Sequence, residues 1–288
     1  MNLDPRLTPA RGDLAAVELE GLVRAARYVA PTPMRLAAPA APLLTSPDAG
    51  AELATELLFG EAFDVLDIAG GLAFGQALRD GYVGYVPADA LIERPGEATH
   101  RILAPSTFAL QRPSIRAAGF GPLSLNALVT VVEEAERFLR VEGAGWIPRP
   151  HLAPIGDAFA TDAVAVAEAL IGAPYRWGGR ATSGLDCSGL VQQAMFAAGL
   201  ACPRDSDQQA HLGEAVDPTA LQRGDLVFWK GHVGLMGDGA ELIHANAHHM
   251  AVAREPLSGA TARIIEAGGG EPTGYRRVAE LARLAAGR

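Results

Sequence analysis

The chain has 288 residues with 24 Lys and Arg against 33 Asp and Glu, a net charge of −9, so it lacks the basic surface that nucleic acid or an anionic membrane would demand of a partner. Its composition, 49% hydrophobic and 20% charged, is that of a globular protein, and no run approaches the about 18 consecutive apolar residues of a membrane span. Two cysteines, Cys187 and Cys202, are too few for a disulfide scaffold, and the opening Met1-Asn2-Leu3-Asp4-Pro5 is not the basic-then-apolar start of a secretory signal; a cytoplasmic protein is expected.

Residues 1–34 fit neither the helical nor the strand period and carry no assignment. Short apolar runs punctuated by Gly and Pro follow: Glu56–Glu61, Phe63–Ile68 and Gly81–Pro87, then Ile102–Pro105, Ala127–Val132, Arg137–Val141 and Gly145–Pro148. That spacing predicts two small all-β barrels in tandem, over 35–96 and 97–154. Beyond Pro154 the pattern changes. Helices are expected over Asp162–Ile171 and Ser188–Ala198, and strands over Gly224–Lys230, His232–Met236 and Glu241–Ala245, making residues 155–288 an α+β domain.

The chemistry concentrates in that last domain. Cys187 stands at the mouth of the second helix, after Gly178-Gly179 and between Asp186 and Ser188. A thiol there meets the unpaired N–H groups and positive dipole end of the helix, which favours thiolate and prepares a nucleophile. A nucleophile needs a base, and the base an orienting partner. His232 and His244, twelve residues apart across the Gly237-Asp238-Gly239 turn, are placed by hairpin geometry on adjacent strands, giving a Cys-His-His triad with His232 as base and His244 as orienter. Cys202, His100, His151 and His211 read as structural or exposed.

These segments resemble the NlpC-like cell-wall cysteine peptidases, a papain-like family. The resemblance rests on Tyr175-Arg176-Trp177-Gly178-Gly179, Asp186-Cys187-Ser188-Gly189-Leu190, Arg223-Gly224-Asp225-Leu226-Val227-Phe228-Trp229, His232-Val233-Gly234 and Ile243-His244-Ala245, and covers about residues 155–280. It implies the same catalytic trio. With bacterial SH3-like barrels upstream, the chain is similar to γ-D-glutamyl-L-diamino acid endopeptidases of the dipeptidyl-peptidase VI type. The resemblance then implies hydrolysis of the γ-D-Glu–diamino acid bond of murein peptides with a free N-terminal L-Ala, releasing L-Ala-γ-D-Glu in peptidoglycan recycling, with no cofactor and no metal. It also implies that Asp186 and Ser188, helped by Ser206, bind the substrate ammonium. Glu61 and Tyr82 of the first barrel, or Tyr85 in place of Tyr82, would close the pocket, and Tyr175 would donate to the oxyanion or contact the amine.

Three rivals are weighed. His244, His248 and His249 could share a metal if they lay on a helix, but no Glu stands between them as a base, and the strand before Ala245 breaks that premise. A non-catalytic module that merely holds peptidoglycan fragments would not need the complete Cys187, His232, His244 set. An acyltransferase would use the same trio, differing only in whether an amine or water resolves the acyl-enzyme.

Overall fold

The structure, a computed structural model, describes residues 3–93, 96–156 and 160–281. The chain divides into two compact units, residues 1–155 and 156–288.

In the first unit, strands Thr32–Leu36, Ala40–Leu44, Leu53–Leu58, Ala62–Ala69, Leu72–Ala77, Val83–Pro87 and Leu91–Glu93 join in one seven-stranded antiparallel sheet. Alternation along these strands buries Leu43, Leu57, Phe63, Val65 and Val86 together. A second β region spans residues 100–154, with a five-stranded sheet that includes Phe138–Val141 and Gly145–Pro148 and a three-stranded sheet that includes His100–Ile102. The two regions belong to one compact unit, because their backbones touch: Leu128 N–H donates to the Phe59 carbonyl at 2.9 Å. Gly60 makes that approach possible, since a Cβ there would lie 1.8 Å from the Leu128 oxygen.

The first residues also have a fold of their own. Strands Ala10–Arg11, Leu14–Ala16 and Arg27–Val29 form a small sheet, with the last two parallel, and Leu14 and Ala16 pack on Leu66 and Phe74. Strands of two or three residues are too short to display a period, which is why the sequence pattern is silent there.

The second unit is built on a six-stranded antiparallel sheet in the order Glu214–Ala215, Gly274–Arg277, Leu226–Trp229, His232–Met236, Glu241–Asn246, Ala251–Pro256. Helices Ala163–Glu168, Cys187–Ala197 and Leu257–Glu266 accompany it. Asp162 caps the first helix by accepting from Val164 N–H at 2.9 Å. Arg223 binds both Asp162 and Glu168 at 2.8 Å, tying that helix to the segment that leads into the sheet. The strand expected from Gly224 starts at Leu226, because the buried Asp225 carboxylate turns back to accept from Gln222 N–H at 2.8 Å and from Arg277. Val227, Trp229, Met236 and Leu242 pack against Ala260 of the last helix. By strand alternation these core residues share a face with His232 and His244.

Candidate active site

The nucleophile helix begins at Cys187 itself, one residue before the sequence pattern places it, because Asp186 is its N-cap. Asp186 Oδ1 accepts from Gly189 N–H at 2.7 Å, and Oδ2 from Gly178 N–H at 2.9 Å. The helix start can seat on the Gly178-Gly179 loop only without a side chain at 189, where a Cβ would sit 2.3 Å from the Gly179 carbonyl oxygen. The glycines around Cys187 are thus a packing requirement that fixes where the sulfur stands.

Asp186 has a further partner that the sequence analysis did not single out. Arg204, 1% exposed, grips the carboxylate with both terminal nitrogens, at 3.0 and 2.6 Å, and donates to Ser188 Oγ at 2.8 Å. Asp186 was expected to meet the ammonium of a substrate. In the structure its charge is balanced by Arg204 and its oxygens are occupied by backbone and hydroxyl donors, so its role in the resting protein is to cap and anchor the helix. Ser188 Oγ joins the same network, donating to Asp186 Oδ1 at 3.3 Å. Ser206 opens the short helix Ser206–Gln209, two residues past Arg204, and is half-buried.

The histidines come together as the hairpin spacing requires. Leu235 pairs with Ile243, so continuing the register sets His244 opposite Gly234 and diagonal to His232. His232 Nε2 lies 2.8 Å from His244 Nδ1. Val233, next in chain to His232, directs its N–H at the Cys187 sulfur, as does Ser188, which sets the thiol beside the strand carrying the base. Trp229 packs its ring 5.7 Å from that of His232. A residue that the sequence analysis missed completes the row: His244 Nε2 lies 2.7 Å from Glu255 Oε1, and Glu255 also pairs with Arg263. The signal that could have found Glu255 is the one that found His244, a second hairpin step eleven residues on.

The electrostatics correct one expectation. A helix N-terminus was expected to depress the Cys187 pKa, yet burial, reinforced by the Asp186 charge, pushes the thiol up to about 12, against the pull of the Val233 and Ser188 N–H groups and Arg204. Burial likewise pushes His232 down to about 3, and lowers His244. Burial thus disfavours charge on the thiol and on both imidazoles. Tyr175, half-buried near Cys187 and Asp186, is pushed up to about 12 by burial first, so its hydroxyl keeps its proton and remains a donor.

Both ring nitrogens of His244 are engaged by His232 and Glu255, which removes it from any metal shared with His248 and His249. Among the described residues no group of three or more His, Cys, Asp or Glu side chains is arranged to hold a metal ion. Also among the described residues, no helix is long and apolar enough to cross a membrane. Glu61 is fully buried in the first unit, accepting from Leu58 N–H at 3.0 Å with Arg79 3.6 Å away. Tyr82 lies in the core of that unit beside Leu43 and Val86, while Tyr85 packs 5.0 Å from the Phe74 ring.

Comparison with known proteins assigns the two regions separately. The NlpC/P60 family model matches residues 172–265, and a model described as a bacterial dipeptidyl-peptidase SH3 domain matches residues 43–91. A probable endopeptidase, NlpC, of Escherichia coli is 37% identical over 111 residues, covering 33% of this chain and 72% of the relative. A γ-D-glutamyl-L-lysine dipeptidyl-peptidase of Bacillus cereus is 28% identical over 239 residues, covering 72% of this chain and 71% of the relative. Mycobacterial probable endopeptidases are 38% identical over 124 residues, but the match spans only 29% of their length. A solved NlpC/P60 family protein from Bacillus cereus superposes with a TM-score of 0.73 at 24% identity, over 85% of this chain and 99% of that one, and shares the fold.

Proposed function

The chain belongs to the NlpC/P60 family and is a peptidase, and on that premise we propose that it is a cysteine endopeptidase hydrolysing the γ-D-Glu–diamino acid bond of cell-wall peptides that carry a free N-terminal L-Ala. The observation that carries this reading is a thiol at the first position of a helix, with the N–H of Val233, next in chain to His232, directed at its sulfur, beside two hydrogen-bonded imidazoles, His232 Nε2 to His244 Nδ1 at 2.8 Å. The bond assigned is supported by the Bacillus cereus relative, named for γ-D-glutamyl-L-lysine and matched along most of its length.

In the proposed reaction the thiol proton passes to His232 as the sulfur attacks the γ-D-glutamyl carbonyl carbon. Because burial disfavours charge on both partners, this transfer accompanies attack rather than preceding it. Gly189 N–H is committed to Asp186 and Ser188 N–H to the sulfur, so the oxyanion falls to the Cys187 N–H, with the Tyr175 hydroxyl as an additional donor. The amine of the diamino acid leaves with the proton held on His232. Water, deprotonated by the same ring, then opens the thioester and frees L-Ala-γ-D-Glu. The resemblance assigns the substrate ammonium to Asp186, Ser188 and Ser206; at Asp186 it competes with Arg204 for the carboxylate. The requirement for peptides already released from the wall, together with two unbridged thiols, supports a cytoplasmic recycling role within this proposal.

The test is incubation with L-Ala-γ-D-Glu-L-Lys and L-Ala-γ-D-Glu-meso-diaminopimelate, each free and N-acetylated, with products read by mass spectrometry. The dipeptide L-Ala-γ-D-Glu is expected from the free peptides. Acetylation is expected to cost about 10³-fold, because a site that takes an ammonium is left with uncompensated polar groups. Equal cleavage of acetylated and free peptides would refute the free-amine requirement, and transfer to added amines with no hydrolysis would identify an acyltransferase.

A further inference from the structure

Three neighbouring strands each place one titratable side chain on the same face of the second unit's sheet. His232 and His244 are joined at 2.8 Å, and His244 and Glu255 at 2.7 Å. The stagger repeats: His244 pairs with Ala253 across the next strand boundary, so Glu255 is diagonal to His244 just as His244 is diagonal to His232. Helix Leu257–Glu266 folds back over this face, and its Arg263 closes on Glu255. His249 Nδ1 stands 3.9 Å from the same Glu255 oxygen. These groups form a row with a direction.

The direction follows from counting donors. A carboxylate only accepts, and a neutral imidazole has one donor and one acceptor nitrogen. His244 Nε2 must therefore carry the proton that Glu255 receives. That leaves His244 Nδ1 bare, so it accepts, and His232 Nε2 must donate to it. His232 Nδ1 is then the unprotonated nitrogen, the one not spent on His244. We propose that Glu255 is a positioning residue that sets the tautomers of both histidines through this chain, so that His232 meets Cys187 with a bare Nδ1, and that Arg263 braces the carboxylate without choosing the tautomers. The state of the groups agrees: burial lowers both histidines toward neutrality, while the hydrogen bond from His244 and the charges of His244 and Arg263 outweigh burial and lower Glu255.

A neutral amide in place of the carboxylate can reverse the row. The side-chain nitrogen of Glu255→Gln donates to His244 Nε2, the proton moves to His244 Nδ1, and His232 is obliged to carry its own proton on Nδ1, toward the sulfur, where it cannot act as a base. A pair that only pinned the helix to the sheet would leave the tautomers untouched when altered.

The catalytic consequence rests on the peptidase reading above, but the tautomers belong to the resting protein and are measured without substrate. Long-range proton–nitrogen spectra of the histidine-labelled full chain near neutral pH are expected to show His232 and His244 both protonated on Nε2. In Glu255→Gln both are expected on Nδ1, with kcat down by about 10²- to 10⁴-fold, the range associated with losing a correctly oriented general base, and KM changed by less than about threefold. Glu255→Asp keeps the charge and is expected to retain the Nε2 tautomers and recover part of kcat. Arg263→Gln leaves the carboxylate in place and is expected to retain them too. A wild-type His232 protonated on Nδ1, or a folded Glu255→Gln with both rings still protonated on Nε2, would overturn the proposal. Should Glu255→Gln fail to fold, the wild type, Glu255→Asp and Arg263→Gln spectra still decide it. Expected tautomers in a chain that cleaves no peptide would support the assignment and remove the hydrolase reading.

Discussion

Two carboxylate–guanidinium pairs bracket the candidate active site, Asp186 with Arg204 and Glu255 with Arg263, and they do different work. Asp186 spends its oxygens on backbone N–H groups, a serine hydroxyl and a guanidinium, none of which changes its protonation near neutral pH. It fixes geometry. Glu255 faces an imidazole, a group whose proton can sit on either of two atoms, so its charge is converted into a choice of tautomer. An ion pair beside the site is scaffolding or sets where protons sit according to the third group it addresses.

The largest expected separation between the two pairs is in stability. Removing one partner of a buried pair strands the other charge, at about 3–5 kcal/mol, and Arg204 is almost wholly buried whereas the Arg263 side chain is 24% exposed. Arg204→Met is therefore expected to lower the denaturant stability of the chain by about 3 kcal/mol or more, and Arg263→Met by about 1 kcal/mol or less. Equal losses would dissolve the distinction.

The next effect is on the thiol. With Cys187 pushed up to about 12, alkylation of the resting protein by iodoacetamide is expected to be slow at pH 7 and to rise about tenfold per pH unit above it, since only the thiolate reacts. A rate already on its plateau below pH 7 would mean that the helix N-terminus prevails over burial, and that the ion pair is preformed.

A smaller effect concerns acid. Burial pushes His232 down to about 3 in the folded chain from its ordinary value of about 6.5, so between those values the unfolded chain binds more protons and stability falls as pH drops. The wild-type melting temperature is expected to decline from pH 6.5 toward 4 more steeply than that of His232→Gln. Parallel curves would show that the ring is not held neutral. The smallest expected change is Tyr175→Phe, up to about 10²-fold in kcat for the loss of one oxyanion donor, with the melting temperature nearly unchanged.

What was legible in the sequence divides along similar lines. The strand His232–Met236 has the limits that its Gly-bounded pattern gives, and the thiol stands at a helix start because Asp186 caps and Gly189 packs, both visible as residue types in a row. Arg204 and Glu255 were not singled out, because their roles arise only where distant segments meet: Arg204 is 18 residues from Asp186, and Glu255 one hairpin beyond the pair that spacing had linked. The upward push of burial on the Cys187 thiol was not legible for the same reason, since burial is a property of the surrounding unit and not of the helix turn. Glu61 and Tyr82 entered through resemblance, and a residue string could not show that the carboxylate folds back onto Leu58 N–H or that the ring sits in a core.

The central claim is that Cys187 carries the acyl group. Mixing the intact protein with L-Ala-γ-D-Glu-L-Lys, quenching in acid within the first turnovers and weighing the chain by mass spectrometry tests it directly. The account predicts a transient L-alanyl-γ-D-glutamyl adduct on Cys187, absent in Cys187→Ala together with all product. Release of the dipeptide by folded Cys187→Ala at the wild-type rate would contradict it.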